Sequence, residues 1–241
     1  MDDVIRVEDQ YYILATSSLA DDRTRVLKEG ETFAVFDRYG DIQTLGRGEQ
    51  GLYHEGTRFL SRFALRLGRN RPLLLSSTVR DNNVLLAVDL TNPDFTIDGQ
   101  VTIPRGTLHI FRTKFIWQGT CYERLHVYNY GLMMLDIPVY LQFDTDFADI
   151  FEVRGLRRDR RGHKLEAVVK DDGIVLGYAG LDGVTRRTRL QCSPAPAEVL
   201  GSELRLEMKL PPQGEATFDL TVSCESVESI ASVSHFDTAA T

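Results

Sequence analysis

The sequence predicts an all-β protein, a large antiparallel β-sandwich with little helix, on three observations. Apolar residues recur at every second position through several segments, hairpin signals separate those segments, and stretches with helical spacing are few and short. Sandwiches and barrels often exceed about two hundred residues as one unit, so 241 residues suit one large all-β domain or two small ones.

The turn signals come first along the chain. Tyr39-Gly40-Asp41 and Asp81-Asn82-Asn83 mark early turns, and Asp98-Gly99, Asp172-Gly173 and Asp182-Gly183 each separate β-like runs. An Asp-Gly pair tolerates the positive φ angles of a type I′ turn, whose twist matches that of the flanking strands. Gln118-Gly119-Thr120 is a weaker version of the same signal. A two-residue loop there would place His109, Phe111, Thr113, Phe115 and Trp117 on one face with Tyr122, Arg124, His126, Tyr128 and Tyr130. Such a face is either a platform on which sugar rings stack or filling for the sandwich core. The area each ring must bury favours the core.

Further on, Leu135, Ile137, Val139, Leu141, Phe143 and Phe147 alternate with residues of the opposite face, interrupted only by Thr145. Pro138 lacks an N–H and so suggests a strand edge or a bulge. Phe147, Ile150 and Phe151 have helical spacing behind an Asp146 cap, enough for about two turns. Leu204, Leu206, Met208 and Leu210 then alternate with Arg205, Glu207 and Lys209, and Phe218, Leu220, Val222 and Cys224 form a last strand. A second helix is expected from Ser226 to about His235, with Val227, Ile230 and Ala231 on one face. His235 to Thr241 is the best candidate for a mobile tail. Residues 1–225 therefore read as the sandwich and residues 226–241 as a linker or tail.

Composition narrows the partners. A net charge of −7 and a pI near 5.3 argue against nucleic acid and anionic membranes, which reward a basic face, and are compatible with a neutral ligand. The opening MDDVIRVEDQ has no secretory pattern, and no apolar run approaches the roughly eighteen residues that span a bilayer. Cys121, Cys192 and Cys224 are widely spaced, with no Cys-x-x-Cys pair or nearby histidine at zinc-ligand spacing. They read as reduced, buried residues of a cytoplasmic protein. Asp144 and Asp146 would share a strand face, yet the spaced oxygen-ligand loop of a calcium site is lacking. No metal, no cofactor and no catalytic residue is assigned.

Two stretches carry the most chemistry. Gly51 to Arg62 (GLYHEGTRFLSR) groups a histidine, two arginines, a carboxylate and a tyrosine around a glycine turn. Sugar sites use such groups, and so do joints that tie neighbouring loops together. Arg154, Arg157, Arg158, Arg160 and Arg161 would suit an anion if unpaired, but Asp149, Glu152 and Asp159 lie among them, which favours local ion pairing.

Tyr53, His54, Thr57, Arg58, Phe59, Leu60 and Ser61 resemble the signature of the amino-terminal domain of glycogen-debranching, amylo-α-1,6-glucosidase-like proteins. An aspartate often precedes the threonine there, and Gly56, beside Glu55, takes its place. The resemblance continues through Asp81, Asn82 and Asp89-Leu90-Thr91-Asn92-Pro93-Asp94. It resumes with Asp144, Phe147, Ala148, Asp149, Phe151, Glu152, Val153, Arg154, Gly155, Arg158 and Arg161-Gly162.

The resemblance implies a supersandwich-like domain that braces a carboxy-terminal α/α toroid, absent from this sequence, whose acidic residues would hydrolyse α-1,6-linked glucose. An α-glucan oligosaccharide is the implied ligand. His54, Thr57, Arg58, Asn92, Arg154 and Trp117 are the candidate substrate contacts, and the chain alone is expected to be inactive. Sheet edges left bare would favour a homo-oligomer. Two alternatives stay open: a free-standing carbohydrate-binding module, and an aldose-epimerase-like enzyme using His54, His109 or His126 with Glu55 or Glu123.

Overall fold

The computed structural model describes the backbone of residues 4–7 and 10–13 and the whole of residues 24–43, 48–80, 82–226 and 236–240. Strands dominate them, with only two single-turn helices among the described residues. β1 (Val4–Val7) and β2 (Gln10–Ile13) pair antiparallel. β3 (Arg25–Glu29), β4 (Thr32–Phe36), β5 (Gly51–His54) and β6 (Thr57–Leu60) form a four-stranded sheet in that order.

β7 (Arg62–Leu67) leaves that sheet, and β8 (Leu73–Val79) with β9 (Leu85–Thr91) begins the largest one. A small hairpin, β10 (Phe95–Ile97) and β11 (Gln100–Ile103), precedes the two long central strands β12 (Leu108–Trp117) and β13 (Thr120–Asn129). β14 (Leu135–Asp136), β15 (Val139–Asp144) and helix α1 (Ile150–Val153) follow, then β16 (His163–Lys164), β17 (Val168–Lys170), β18 (Gly173–Ala179) and β19 (Thr185–Ser193). β20 (Glu198–Leu200), β21 (Glu203–Leu206), β22 (Lys209–Leu210), β23 (Glu215–Ser226) and helix α2 (Phe236–Ala239) come last.

The large sheet runs β16-β18-β19-β23-β13-β12-β9-β8, with β17 also on β18; a second four-stranded sheet runs β20-β21-β15-β7. Every pairing is antiparallel. One continuous core joins Leu27 and Phe36, Phe59, Leu65 and Leu141 of the small sheets to Ile110, Leu125, Leu190 and Leu220 of the large one. The small sheets thus cover one face of the large sheet, as the alternating pattern predicts for a sandwich.

Several details differ from the sequence reading. Leu135 to Phe147 is two strands, not one: β14 pairs β22, β15 lies between β21 and β7, and the chain breaks at Ile137-Pro138. The facing segment breaks opposite, between β21 and β22, where Ile137 N–H donates to the Met208 carbonyl at 3.1 Å. Proline cannot continue the ladder, yet all the expected apolar residues from Leu135 to Phe147 are buried.

The Asp98-Gly99 and Gln118-Gly119 turns have the expected positive φ angles, 50° and 78°, then 48° and 74°. The third turn is shifted: Lys170 pairs with Gly173, so Asp171-Asp172 form the loop and Gly173 opens β18. A Cβ at Gly173 would meet the Leu190 carbonyl oxygen at 1.9 Å, so the glycine serves strand packing. At Asp81-Asn82-Asn83, Asp81 lies outside the described residues, while Asn83 takes φ 56° and donates to the Arg80 carbonyl at 2.8 Å.

The first helix is one turn and is capped by Asp149, not Asp146. Asp149 accepts from Phe151 N–H at 2.8 Å while Glu152 accepts from Asp149 N–H at 3.0 Å, a reciprocal capping box. Asp146 is drawn away by Arg58. The helix expected from Ser226 to His235 falls on residues 227–235, outside the described ones, and Ser226 still belongs to β23. Within the expected tail, Phe236–Ala239 is helical and Phe236 is buried against Phe115, 5.1 Å between ring centroids.

The β12–β13 register is the expected one, with Trp117 opposite Thr120 and His109 opposite Tyr128. The aromatic set, however, faces away from the core, and α2 covers only its Phe115–Tyr122 part. The face turned inward carries Ile110, Arg112, Lys114 and Ile116 with Cys121, Glu123, Leu125 and Val127. Among the described residues no helix is long and apolar enough to cross a membrane.

Candidate functional site

The two chemically loaded stretches meet at one end of the sandwich. Glu55 and Gly56, at φ 47° and 75°, close the β5–β6 hairpin. The Asp146–Ile150 segment then lies along β6: Arg58 N–H donates to the Ala148 carbonyl and Ile150 N–H to the Gly56 carbonyl, each at 2.8 Å. Side chains repeat the link. Arg58 Nε donates to Asp146 Oδ1 at 3.1 Å, and its Nη2 bonds the other carboxylate oxygen. The same guanidinium donates to the carbonyls of Gly48 and Gln50. Burial alone would lower the Arg58 pKa, but the hydrogen bond and charge of Asp146 hold it raised. Gly51 is needed for this fit, since a Cβ there would fall 2.5 Å from Arg58 Cδ.

Aromatic rings extend the joint into the large sheet. Phe59 meets the edge of Phe147 at 5.7 Å, and Phe147 stacks on Tyr178 of β18 at 5.4 Å. Phe147 holds φ 49°, a conformation that a bulky residue keeps only when packing fixes it. Gly162 N–H donates to the Tyr178 hydroxyl at 2.7 Å. A Cβ at Gly162 would sit 1.9 Å from the Ala179 carbonyl oxygen, so the glycine ending the arginine-rich stretch allows its approach to β18.

Between α1, the Arg158–Gly162 loop and the β18–β19 turn opens a cleft of about 130 Å³, with Thr57 in its wall. Its charges are interleaved. Arg158 pairs with Asp149 at 3.2 Å, Arg161 with Glu152 at 3.3 Å, and Arg186 with Asp182 at 2.8 Å. Arg161 also donates to the Asp146 carbonyl at 2.7 Å. Arg160 lines the cleft too and pairs with no carboxylate among the described residues. The hydrogen bond from Arg186 pulls the Asp182 carboxyl down to about 2. The ion pairing expected of the arginine stretch is therefore present, and it surrounds an opening.

The structure brings some candidate contacts together and separates others. Thr57 lines the cleft. Arg58 is buried behind it in the Asp146 clamp. His54 Nδ1 bonds Thr32 Oγ1 at 2.8 Å, and its ring lies beside Gly119, so the β12–β13 turn that follows Trp117 abuts the same end. Trp117 is 43% exposed. Arg154 is the exposed C-cap of α1. Asn92 is elsewhere: fully buried, it accepts from Leu108 N–H at 2.7 Å and donates to the Pro104 carbonyl at 2.8 Å. Leu108 opens β12 and Trp117 ends it, which puts Asn92 roughly 30 Å from the cleft end by strand rise.

Tyr178, Asp182 and Arg186 are cleft residues that the sequence reading does not assign to a site, although Asp182 reads there as part of a turn. They lie outside both stretches, and only the β18–β19 register brings them in. The epimerase-like pairs do not assemble around Glu123, which is buried between Arg112 and Lys114. His109 pairs with Asp89 at 2.9 Å, His126 with Glu215 at 3.1 Å, and His54 Nε2 is 3.9 Å from Glu55.

Comparison with known proteins places this geometry. No curated protein matches the chain. A protein designated a kojibiose phosphorylase, from the human microbiome, superposes with TM-score 0.56 at 11% identity over 83% of this chain, which spans 30% of that one. The Slr1438 protein of Synechocystis sp. PCC 6803 superposes with TM-score 0.53 at 10% identity, over 90% of this chain and 99% of that one. At such identities the likeness is one of fold. The family described as the N-terminal domain of some glycogen debranching enzymes matches residues 27–221, both stretches included, and the chain belongs to that family.

Proposed function

We propose that the chain is the non-catalytic β-sandwich of a glycogen-debranching, amylo-α-1,6-glucosidase-type protein. It braces a carboxy-terminal α/α toroid that carries the catalytic carboxylates, and it turns the end formed by the β5–β6 hairpin and α1 toward that domain's α-glucan. Three buried free cysteines support a reducing, cytoplasmic setting for the protein.

One observation carries the non-catalytic part. Glycoside hydrolysis needs one carboxyl kept protonated across the scissile bond from a second that is ionised. Every carboxylate in the cleft, Asp149, Glu152 and Asp182, is instead held by an arginine. Asp37 is the carboxyl among the described residues whose pKa is raised, by burial and by Asp41, and it is bonded to Arg71 away from the cleft.

Glucose release from a limit dextrin tests the proposal. The chain alone is expected to release none, and a toroid domain of the family supplied in trans is expected to bind it. Release by the chain alone that Asp149→Asn or Glu152→Gln abolishes would overturn the non-catalytic reading, and failure to bind the toroid would overturn the bracing role.

A further inference from the structure

We infer that the cleft beside α1 is a subsite for a neutral oligosaccharide, a short α-glucan segment, with Arg160, Arg186, Asp182 and Tyr178 as its contacts. The choice of sugar rests on the function proposed above. The choice of a neutral ligand rests on the cleft itself.

Four guanidinium groups line the opening with three carboxylates, and three of the arginines are already paired. A phosphate would have to displace a carboxylate from its arginine or lie beside it, like charge against like charge. A polyol needs neither. Each paired carboxylate keeps lone pairs that accept a sugar O–H, and each paired guanidinium keeps N–H groups that donate to a sugar oxygen. Hydrogen bonds to charged groups are also stronger than neutral ones, which suits an uncharged, hydroxyl-rich ligand in competition with water.

The walls add an apolar surface and rigidity. Tyr178 is backed by Phe147, and Leu181 at the β18–β19 turn is 62% exposed at the cleft. Such surfaces accept the C–H face of a pyranose ring. The capping box at Asp149, the Gly162–Tyr178 hydrogen bond and the Arg186–Asp182 pair fix the walls before a ligand arrives, so little order is lost on binding. The cleft, of about 130 Å³, is large enough for several waters, whose places the hydroxyls of a sugar would take. One sugar ring can seat there with its neighbours running out along the surface.

Amide-resolved NMR titration of the chain with maltotetraose, and separately with inorganic phosphate, tests this. Maltotetraose is expected to shift the Gly162, Gly180 and Gly183 amides saturably, and phosphate at the same concentration is not. Arg160→Ala, at an exposed position, should leave the melting temperature unchanged and weaken the sugar about tenfold, the loss of one charged hydrogen bond. Arg186→Ala should weaken it too.

Saturable phosphate binding without sugar binding would overturn the inference. So would sugar shifts confined to the outer face of β12 and β13, or affinity unchanged in both variants. An absence of any sugar binding ends the subsite but not the bracing role, which association with the toroid reads independently.

Discussion

The two faces of the β12–β13 hairpin reverse the usual division between inside and outside. The inner face buries Arg112, Lys114 and Glu123 completely or nearly so, while the outer face leaves Phe111, Trp117 and Tyr128 partly open to water. The inner network, in which Arg112 Nη2 is the one buried polar side-chain atom of Arg112, Lys114 and Glu123 without a partner, explains the exchange. Arg112 Nε donates to Glu123 at 2.6 Å, Arg112 Nη1 donates to Asp41 at 2.6 Å and to the Tyr39 carbonyl at 2.7 Å, and Lys114 bonds the other Glu123 oxygen. Lys114 also lies over the rings of Phe36 and Phe63, at 5.0 and 4.8 Å. Outside, similar pairs such as Arg124–Asp219 and His126–Glu215 are partly exposed and easily dispensed with. A charge can sit in this core where each neighbour supplies its partner, and its removal then matters far more than removal of an exposed ring.

The largest effect is expected from Glu123→Ala, which leaves Arg112 and Lys114 buried with their shared anion gone. Breaking a buried ion pair in this way costs about 3–5 kcal/mol, measurable by urea denaturation. Replacing Arg112, Lys114 and Glu123 together by methionine and leucine should restore stability close to wild type, because the desolvation of all three charges disappears and Asp41 keeps Arg66 and Arg71. A loss below about 1 kcal/mol for Glu123→Ala would break the comparison.

The sign of the pH dependence follows from the same pairs. Burial alone would raise the Glu123 carboxyl, but Arg112 and Lys114 outweigh it and hold its pKa below the usual 4.5. Its stabilisation is present above the unfolded value and is lost as pH falls through the lower folded value. Glu123→Gln should therefore flatten the acid limb of stability below about pH 4.5. Burial, with the Arg112 charge beside it, lowers the Lys114 pKa, so the unfolded chain holds that proton to higher pH. From this group stability rises with pH toward 10.5.

An intermediate effect is expected on the outer face where α2 seals it. Phe236 packs on Phe115 and Tyr122, and Arg124 lies over its ring at 4.2 Å. Phe236→Ala should cost about 2 kcal/mol, less than a phenylalanine lost from a central core, with amide exchange on β12 and β13 faster near Phe115. An effect equal to that of Glu123→Ala would mean that the outer face has a second core and that the contrast is false.

Period-two alternation and turn chemistry made the strands, the β12–β13 register and the sandwich readable in the sequence. Facing was not readable there. Alternation shows which residues share a face but leaves the choice of the inner one to polarity, and Arg112, Lys114 and Glu123 mislead on that point because Asp41, from a distant loop, completes their network. The cap of α1 was misplaced for a related reason: Asp146 and Asp149 are equally good caps locally, and Arg58, far away in sequence, claims the first. At the candidate site, Thr57 and the arginine stretch were visible in the motifs. Tyr178 and Arg186 carry no local signal, Asp182 signals only a turn, and all three enter through the pairing of β18 with β19.

The smallest effect should come from Trp117→Ala. The residue sits at the open end of the hairpin, 43% exposed, with the turn itself set by Gln118 and Gly119 at positive φ rather than by the indole. A substitution that creates no cavity and leaves no buried polar group unpaired normally changes stability by under about 0.5 kcal/mol, and urea denaturation followed by far-ultraviolet circular dichroism reads it without relying on the lost fluorophore. Maltotetraose affinity should also hold, since the inferred contacts line the cleft between α1 and the β18–β19 turn. Loss of affinity with the fold intact would move the sugar from the cleft to the hairpin. The outer aromatic face would then be a binding platform, and its exposure would have a function instead of being the consequence of a charged interior.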